Sequence, residues 1–235
     1  MPLQLSDISV AYGPVKAVSQ LNLNIERGTV VAVIGPNGAG KTSLLSGVLG
    51  LAPLVGRIHL DGTDIAQLPG HARSRFGLGY VPSSRGVFTS LTVTENIQVA
   101  AGIGFNAAWS ELTAWFPILE EKRFALGSEL SGGQQQILSI ARAMAARPRY
   151  ILMDEPSIGL SPIATGWLVD AIRRLRTAGV GVLLTEQNAG LALTVSDVCH
   201  LMVRGEVRLS GSPTELRGKP EVEALYLGRS VRTST

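Results

Sequence analysis

The chain has 235 residues, 45% of them hydrophobic and 17% charged, with a formal net charge of +3 and one cysteine. That length suits one domain or two modest ones with a sizeable core, and the small charge, with no run of Lys/Arg, argues against a nucleic-acid-binding arm. Cys199 has no partner for an internal disulfide, so a buried small hydrophobe is its expected role. The start, MPLQLSDISV, lacks the basic and long apolar segments of a signal peptide, and no apolar stretch is long enough to span a bilayer, so a cytoplasmic chain is expected.

Leu3 to Val10 alternates apolar and polar residues, as a half-buried strand does, and Ala11-Tyr12-Gly13-Pro14 reads as a turn. Tyr12 is placed either to stack on an adenine or to pack as a rim tyrosine on the sheet. Val18 to Ile25 alternates again, and Glu26-Arg27-Gly28 turns the chain into Val30–Ile34, a β-branched apolar run expected to be a strand buried on both faces. Gly35-Pro36-Asn37-Gly38-Ala39-Gly40-Lys41-Thr42 then fits G-x-x-x-x-G-K-[ST], and Leu44, Leu45, Val48 and Leu49 recur at helical spacing. Strand, glycine loop and helix are the setting in which inward-pointing N–H groups and a helix N-terminus hold a triphosphate. Lys41 is expected to reach its β/γ oxygens and Thr42 to offer a hydroxyl to Mg²⁺. A Cβ at Gly38 or Gly40 is expected to obstruct a phosphate.

Gly56 to Leu60 with the Asp61-Gly62 turn looks like a hairpin arm, and Gly77 to Val81 like another strand. From Ser83 to Gly127 the texture is helical (Thr94 to Ala101, Ala107 to Leu119), with Trp109 and Trp115 as packing aromatics; this predicts a helical subdomain inserted into the α/β core. Ser131-Gly132-Gly133 opens a helix with Ile137, Ile140, Ala141 and Met144 on one face, a second anion-ready helix start. Tyr150 to Met153 is an apolar strand closed by Asp154-Glu155-Pro156. Carboxylates at a strand's C-terminal end occupy the usual site position of a parallel sheet, and alternation along a strand predicts that these two point opposite ways. Leu168, Ile172 and Leu175 mark an amphipathic helix, followed by the strand Val180 to Leu184 and by Thr185-Glu186-Gln187-Asn188. A hairpin (Val198 to Val203, Glu206 to Leu209), a capping box at Ser212-Pro213-Thr214-Glu215 and a short helix from Val222 to Leu227, ending at Gly228, complete the chain.

With GPNGAGKT (35–42), LSGGQQQ (130–136), YILMDEP (150–156) and TEQN (185–188) in that order, the chain resembles the ATP-binding subunits of ABC transporters over essentially its whole length. LSGGQQQILSIARAMAARPRYILMDEPSIGLSP, LLTEQNAGLAL and the ending ALYLG are similar to an ATPase subunit of branched-chain amino-acid uptake systems, with urea and short-chain amide importers as competitors. The resemblance implies a P-loop ABC ATPase fold. This is α/β, with a mixed, mainly parallel sheet core, an N-terminal antiparallel β subdomain and a helical subdomain at about residues 83–147, within one domain over 1–235. It further implies ATP contacts from Tyr12, Val18, Gly35, Pro36, Asn37, Gly38, Ala39, Gly40, Lys41, Thr42 and Ser43. Ser131, Gly132, Gly133 and Gln134 of a second ATPase subunit, identical or sister, would cover the γ-phosphate. Thr42, Asp154 and Ser83 would serve Mg²⁺; Glu155 would polarise the attacking water, and Gln187 would hydrogen-bond the γ-phosphate. Two integral-membrane permease subunits and a secreted substrate-binding protein are the implied partners, holding the chain on the inner face of the membrane near Ser83 to Phe88, with no nucleic acid. Non-transport ABC ATPases acting on nucleic acid or ribosomes are a rival class, disfavoured by the lack of a basic stripe or long coiled-coil insertion. Three positions depart from the wider family: Ser83 stands for a usual glutamine, Gln187 for a usual histidine and Ser161 for a usual aspartate.

Overall fold

The computed structural model describes residues 1–226, so the helix end expected at Leu227 and Gly228 lies outside the described residues. Alternation along β1 (Leu3–Tyr12) and β2 (Val15–Ile25), shifted by bulges between Leu5 and Ile8 and between Val18 and Leu21, buries Leu3, Leu5, Ile8 and Val10 on one face of the first strand and Val18, Leu21, Leu23 and Ile25 on the second. Their antiparallel pairing starts a four-stranded sheet. β3 (Val30–Ile34) is buried at every position and runs into the glycine loop and α1 (Lys41–Leu49). The chain then returns to the first sheet as β4 (Leu54–Leu60) and β5 (Thr63–Asp64), giving the order β2-β1-β4-β5.

A short α2 (Gly70–Arg75) leads to β6 (Leu78–Val81). Four helices then intervene before the next strand: α3 (Val93–Ala101), α4 (Phe105–Trp115), α5 (Ile118–Glu121) and α6 (Gly132–Ala145). The single helix expected over Ala107 to Leu119 is two, because Pro117 excludes its predecessor from helical geometry and Phe116 takes φ −130°, ψ 81°. Trp109 and Trp115 are half-buried and pack against the core.

β7 (Tyr150–Asp154), α7 (Pro162–Thr177), β8 (Gly181–Glu186), α8 (Ala189–Val195) and the hairpin β9 (Val198–Val203) and β10 (Glu206–Gly211) follow, then α9 (Pro213–Leu216) and α10 (Pro220–Tyr226). The second sheet has the order β10-β9-β3-β8-β7-β6, parallel except where β10 closes antiparallel on β9. β3 serves two cores at once: Val30, Ala32 and Ile34 face the helices, and Val31 and Val33 face the antiparallel sheet. Both faces of this strand are therefore apolar, as a sandwiched parallel strand requires. β3, β7 and β8 end side by side, with Ile34 opposite Glu186 and Asp154 opposite Thr185, so the glycine loop, the two carboxylates and the Thr185–Asn188 segment emerge at one edge.

Candidate active site

Lys41 and Thr42 open α1, and each meets one of the two acids at the end of β7. The Thr42 hydroxyl lies 3.1 and 3.0 Å from the two carboxylate oxygens of Asp154, and the Thr185 hydroxyl donates to Asp154 Oδ1 at 2.8 Å. Lys41 is 3% exposed; its ammonium donates to the Gly35 carbonyl at 2.7 Å and the Pro36 carbonyl at 3.1 Å and lies 2.9 Å from Glu155 Oε1. The two acids do not diverge as strand alternation predicts. β7 stops at Asp154 and Glu155 takes a left-handed φ of 44°, its amide donating to the Thr185 carbonyl at 2.9 Å, which turns both carboxylates to the glycine loop.

A cavity of about 530 Å³ is lined by Val15 to Ala17, Asn37 to Ser43, Glu155, Arg204 and Gly205. Gly38, at φ +77°, faces open space. Gly40 carries a constraint of its own: at φ +105°, its Cβ would meet the Ala17 carbonyl oxygen at 2.2 Å, so the neighbouring strand by itself excludes a side chain. Arg204 and Lys16 add cations to the wall, and composition offered no sign of either. The Arg204-Gly205 turn is tied to the loop by the Gly205 amide donating to the Ala39 carbonyl at 2.8 Å.

The other expected residues are distributed differently. Val18 is fully buried in the core under the antiparallel sheet: a bulge between Lys16 and Val18 breaks the strand's alternation, so Val18 turns inward while Lys16 and Ala17 line the wall. Tyr12, 48% exposed, and the exposed Ser83 and Gln187 lie outside the lining. Residues 131–134 are also outside it. Ser131 is exposed and caps α6 in a reciprocal box: its hydroxyl accepts from the Gln134 amide at 3.4 Å, while Gln134 Oε1 accepts from the Ser131 amide at 2.9 Å. Gly133 admits close helix packing, since a Cβ there would lie 2.5 Å from Ala164 Cβ on α7. Ser161, in place of the aspartate, caps α7. Glu186, read from the sequence only as part of a motif, is buried and accepts from the Ser157 amide at 3.0 Å and hydroxyl at 2.9 Å. Burial pushes its carboxyl pKa up, opposed by the Ser157 and Asn188 hydrogen bonds and reinforced by the nearby Glu155 charge.

A family model described as ABC transporter matches residues 18–158. The lipopolysaccharide export system ATP-binding protein LptB of Escherichia coli is 36% identical over 238 residues, covering 98% of each chain. The high-affinity branched-chain amino acid transport ATP-binding protein BraG of Pseudomonas aeruginosa is 33% identical over 231 residues, covering 96% of this chain and 99% of that one. A solved structure of the ADP conformation of an ATP-binding cassette of an ABC transporter superposes with a TM-score of 0.82 at 25% identity, over 97% of this chain and 100% of that one.

The chain belongs to the ABC transporter family.

It is an ATP-hydrolysing subunit of a transporter, with the P-loop ABC ATPase fold expected from its motifs. ABC ATPase cassettes form dimers and pair with membrane permeases, and no helix among the described residues is long and apolar enough to cross a membrane. The cavity at the N-terminus of α1 has Lys16, Lys41 and Arg204 in its lining, a wall suited to an anion.

Proposed function

We propose that the chain, acting as one ATPase domain on the inner face of a membrane, drives a permease pair that imports branched-chain amino acids delivered by a secreted binding protein. Two such domains would enclose two ATP molecules head to tail, the second copy being identical or a sister ATPase. The observation that carries the two-chain part is the separation within one chain: Lys41, Thr42 and Glu155 line the cavity, with Asp154 buried behind Thr42, while Ser131 to Gln134 stand outside it with Ser131 exposed. A second chain's corner could then cover the γ-phosphate.

The residues at the loop fit Mg²⁺: the Thr42 hydroxyl and the Asp154 carboxylate are hard oxygen donors already in contact, and Mg²⁺ sites of this kind take few protein ligands beside phosphate oxygens. Bound there, the ion would neutralise charge on the phosphates. Glu155 would orient the water that attacks the γ-phosphorus, with the bond to the β-γ bridging oxygen breaking to give ADP and phosphate. Gln187 would hydrogen-bond the γ-phosphate without carrying a titratable proton. Ser83, exposed and too short to span the gap a glutamine would, would act through water. Loss of the γ-phosphate would let the dimer open and move the permeases.

The likeness to BraG and the TEQN segment support the amino-acid cargo. The likeness to LptB, at 36% identity, favours a second reading in which the chain powers export of a lipid-linked substrate. Deleting the gene from its source organism and following labelled leucine uptake separates the two. Uptake that falls and returns with the wild-type chain but not with Glu155→Gln supports import. Unchanged uptake with a depleted outer-membrane glycolipid overturns it in favour of export.

A further inference from the structure

Glu186 closes a ring of contacts that passes through both Lys41 and Glu155. It is 2% exposed at the end of β8, and among the described residues no cation forms an ion pair with its carboxylate. The carboxylate accepts instead from three neutral donors: the Ser157 amide at 3.0 Å, the Ser157 hydroxyl at 2.9 Å and the Asn188 amide at 3.3 Å. Its main-chain carbonyl accepts from the amide of Gly35, the first residue of the glycine loop, at 3.3 Å. Lys41 donates to the carbonyl of the same Gly35, and Glu155, two residues before Ser157, completes the ring at Lys41. One residue of β8 thus sets the glycine loop against the turn that carries Glu155.

That turn has to be imposed. Glu155 lies in the left-handed region, which a side chain disfavours and which persists only where the surroundings enforce it. Thr185 anchors it by accepting from the Glu155 amide, and the Ile158 amide closes the turn on the Glu155 carbonyl at 3.1 Å. Pro156 has no N–H, so Ser157 is the first residue after Glu155 whose amide can fasten the turn, and Glu186 is what it is fastened to. Burial of a carboxylate without a cation is unfavourable, and the nearby Glu155 charge adds to that cost. A neutral side chain would burden the fold less; strongly buried titratable groups of this kind collect at functional sites.

We propose that Glu186 is a positioning residue for ATP hydrolysis: by clamping Ser157 it aims the Glu155 carboxylate at the cavity beside the glycine loop. It touches neither nucleotide nor water and acts through Glu155. The proposal rests on the reading above in which Glu155 orients the attacking water.

The test uses the full chain. ATP turnover and ADP affinity by calorimetry are measured for Glu186→Ala and Glu186→Gln, alone and combined with Glu155→Gln, at a temperature where each variant is folded by circular dichroism. A glutamine can still accept from the Ser157 amide and donate to its hydroxyl, but it sets an N–H against that of Asn188; an alanine loses all three bonds. With Glu186→Ala, kcat should fall about tenfold or more while KM for ATP and ADP affinity stay within about twofold, as for a misplaced reacting group. Glu186→Gln should recover kcat to within about threefold of the wild type, because the hold on Ser157 is kept. Added to Glu155→Gln, Glu186→Ala should cost less than about twofold more, since residues that act as a unit are not additive. If Glu186→Ala does not fold, Ser157→Ala with Glu186→Gln takes its place; kcat should then fall at least about threefold below Glu186→Gln alone, and no such fall overturns the role. If Glu155→Gln turns over ATP at near the wild-type rate, the reading of Glu155 fails and takes this proposal with it. If Glu155→Gln loses turnover but Glu186→Ala keeps its kcat, or loses ADP affinity in step, or is no worse than Glu186→Gln, or exacts its full loss in the Glu155→Gln background, the role of Glu186 is overturned while that of Glu155 stands.

Discussion

The Lys41 ammonium and the Glu155 carboxylate are 2.9 Å apart, so the loop's principal cation and the acid that faces it neutralise each other. A nucleotide's phosphates would compete with Glu155 for Lys41, and the carboxylate would be freed to face water only as the phosphates take its place. Glu155→Gln removes that competition. ADP should bind more tightly than to the wild type by calorimetry, while ATP hydrolysis falls about 100-fold or more, the loss typical of a missing general base. Weaker ADP binding in the variant would show that the pair supports the loop and does not compete for it. Lys41→Ala should abolish nucleotide binding altogether.

Lys16 and Arg204 share the cavity wall with the loop but are exposed, so each should contribute a screened interaction. Replacing either with Ala should weaken ADP binding about two- to fivefold, ~0.5–1 kcal/mol, and the deficit should shrink as salt is raised from 50 to 500 mM. A deficit that persists unchanged in high salt would argue for a directional contact instead of a field.

Gly133 and Gly166 make opposite predictions. A methyl at Gly133 would lie 2.5 Å from Ala164 Cβ, so Gly133→Ala should destabilise the fold by about 1–3 kcal/mol through overpacking between α6 and α7. Gly166, within α7, has open space around its Cβ position, and Gly166→Ala should stabilise by about 0.5–1 kcal/mol through helix propensity. Urea titrations of the two variants read both signs directly.

His200, on β9, is held neutral by burial, which moves its pKa down from 6.5. Its ring Nδ1 is 2.7 Å from the Ser210 hydroxyl on β10. The unfolded chain takes up a proton near pH 6.5 that the folded chain refuses, so stability should be lost as pH falls from about 6.5 toward the lower folded value. His200→Gln should flatten the melting temperature between pH 5 and 7. An equally steep fall in the variant would assign the slope to another group.

Much of the fold was legible in sequence because the signals are local. Val30–Ile34 is a two-sided apolar run with the glycine loop directly behind it, and the structure buries all five residues. Alternation marked β1 and β2, and the helix start at Ser131 and the capping box at Ser212 are in place. Boundaries moved where a neighbour prevailed over periodicity, as at Pro117. The short α2 and α8 went unread, the latter because Asn188 looked like part of a site motif while it also caps a helix.

Sequence alone determined the order of the motifs, the strand-loop-helix frame around Lys41 and Thr42, and the placing of two acids at the end of one strand, since each follows from spacing within a few residues. Tertiary structure decided which way those acids turn, which strand forbids a side chain at Gly40, that Lys16 and Arg204 stand beside the glycine loop, and that Arg85 stands beside the first turn of α6. In each of these the deciding partner is distant in the chain: Ala17 beside Gly40, Arg204 beside Ala39, Arg85 beside Gly132 and Thr185 beside Glu155. Periodicity carries no information about a contact made only once the two sheets and the inserted helices have packed.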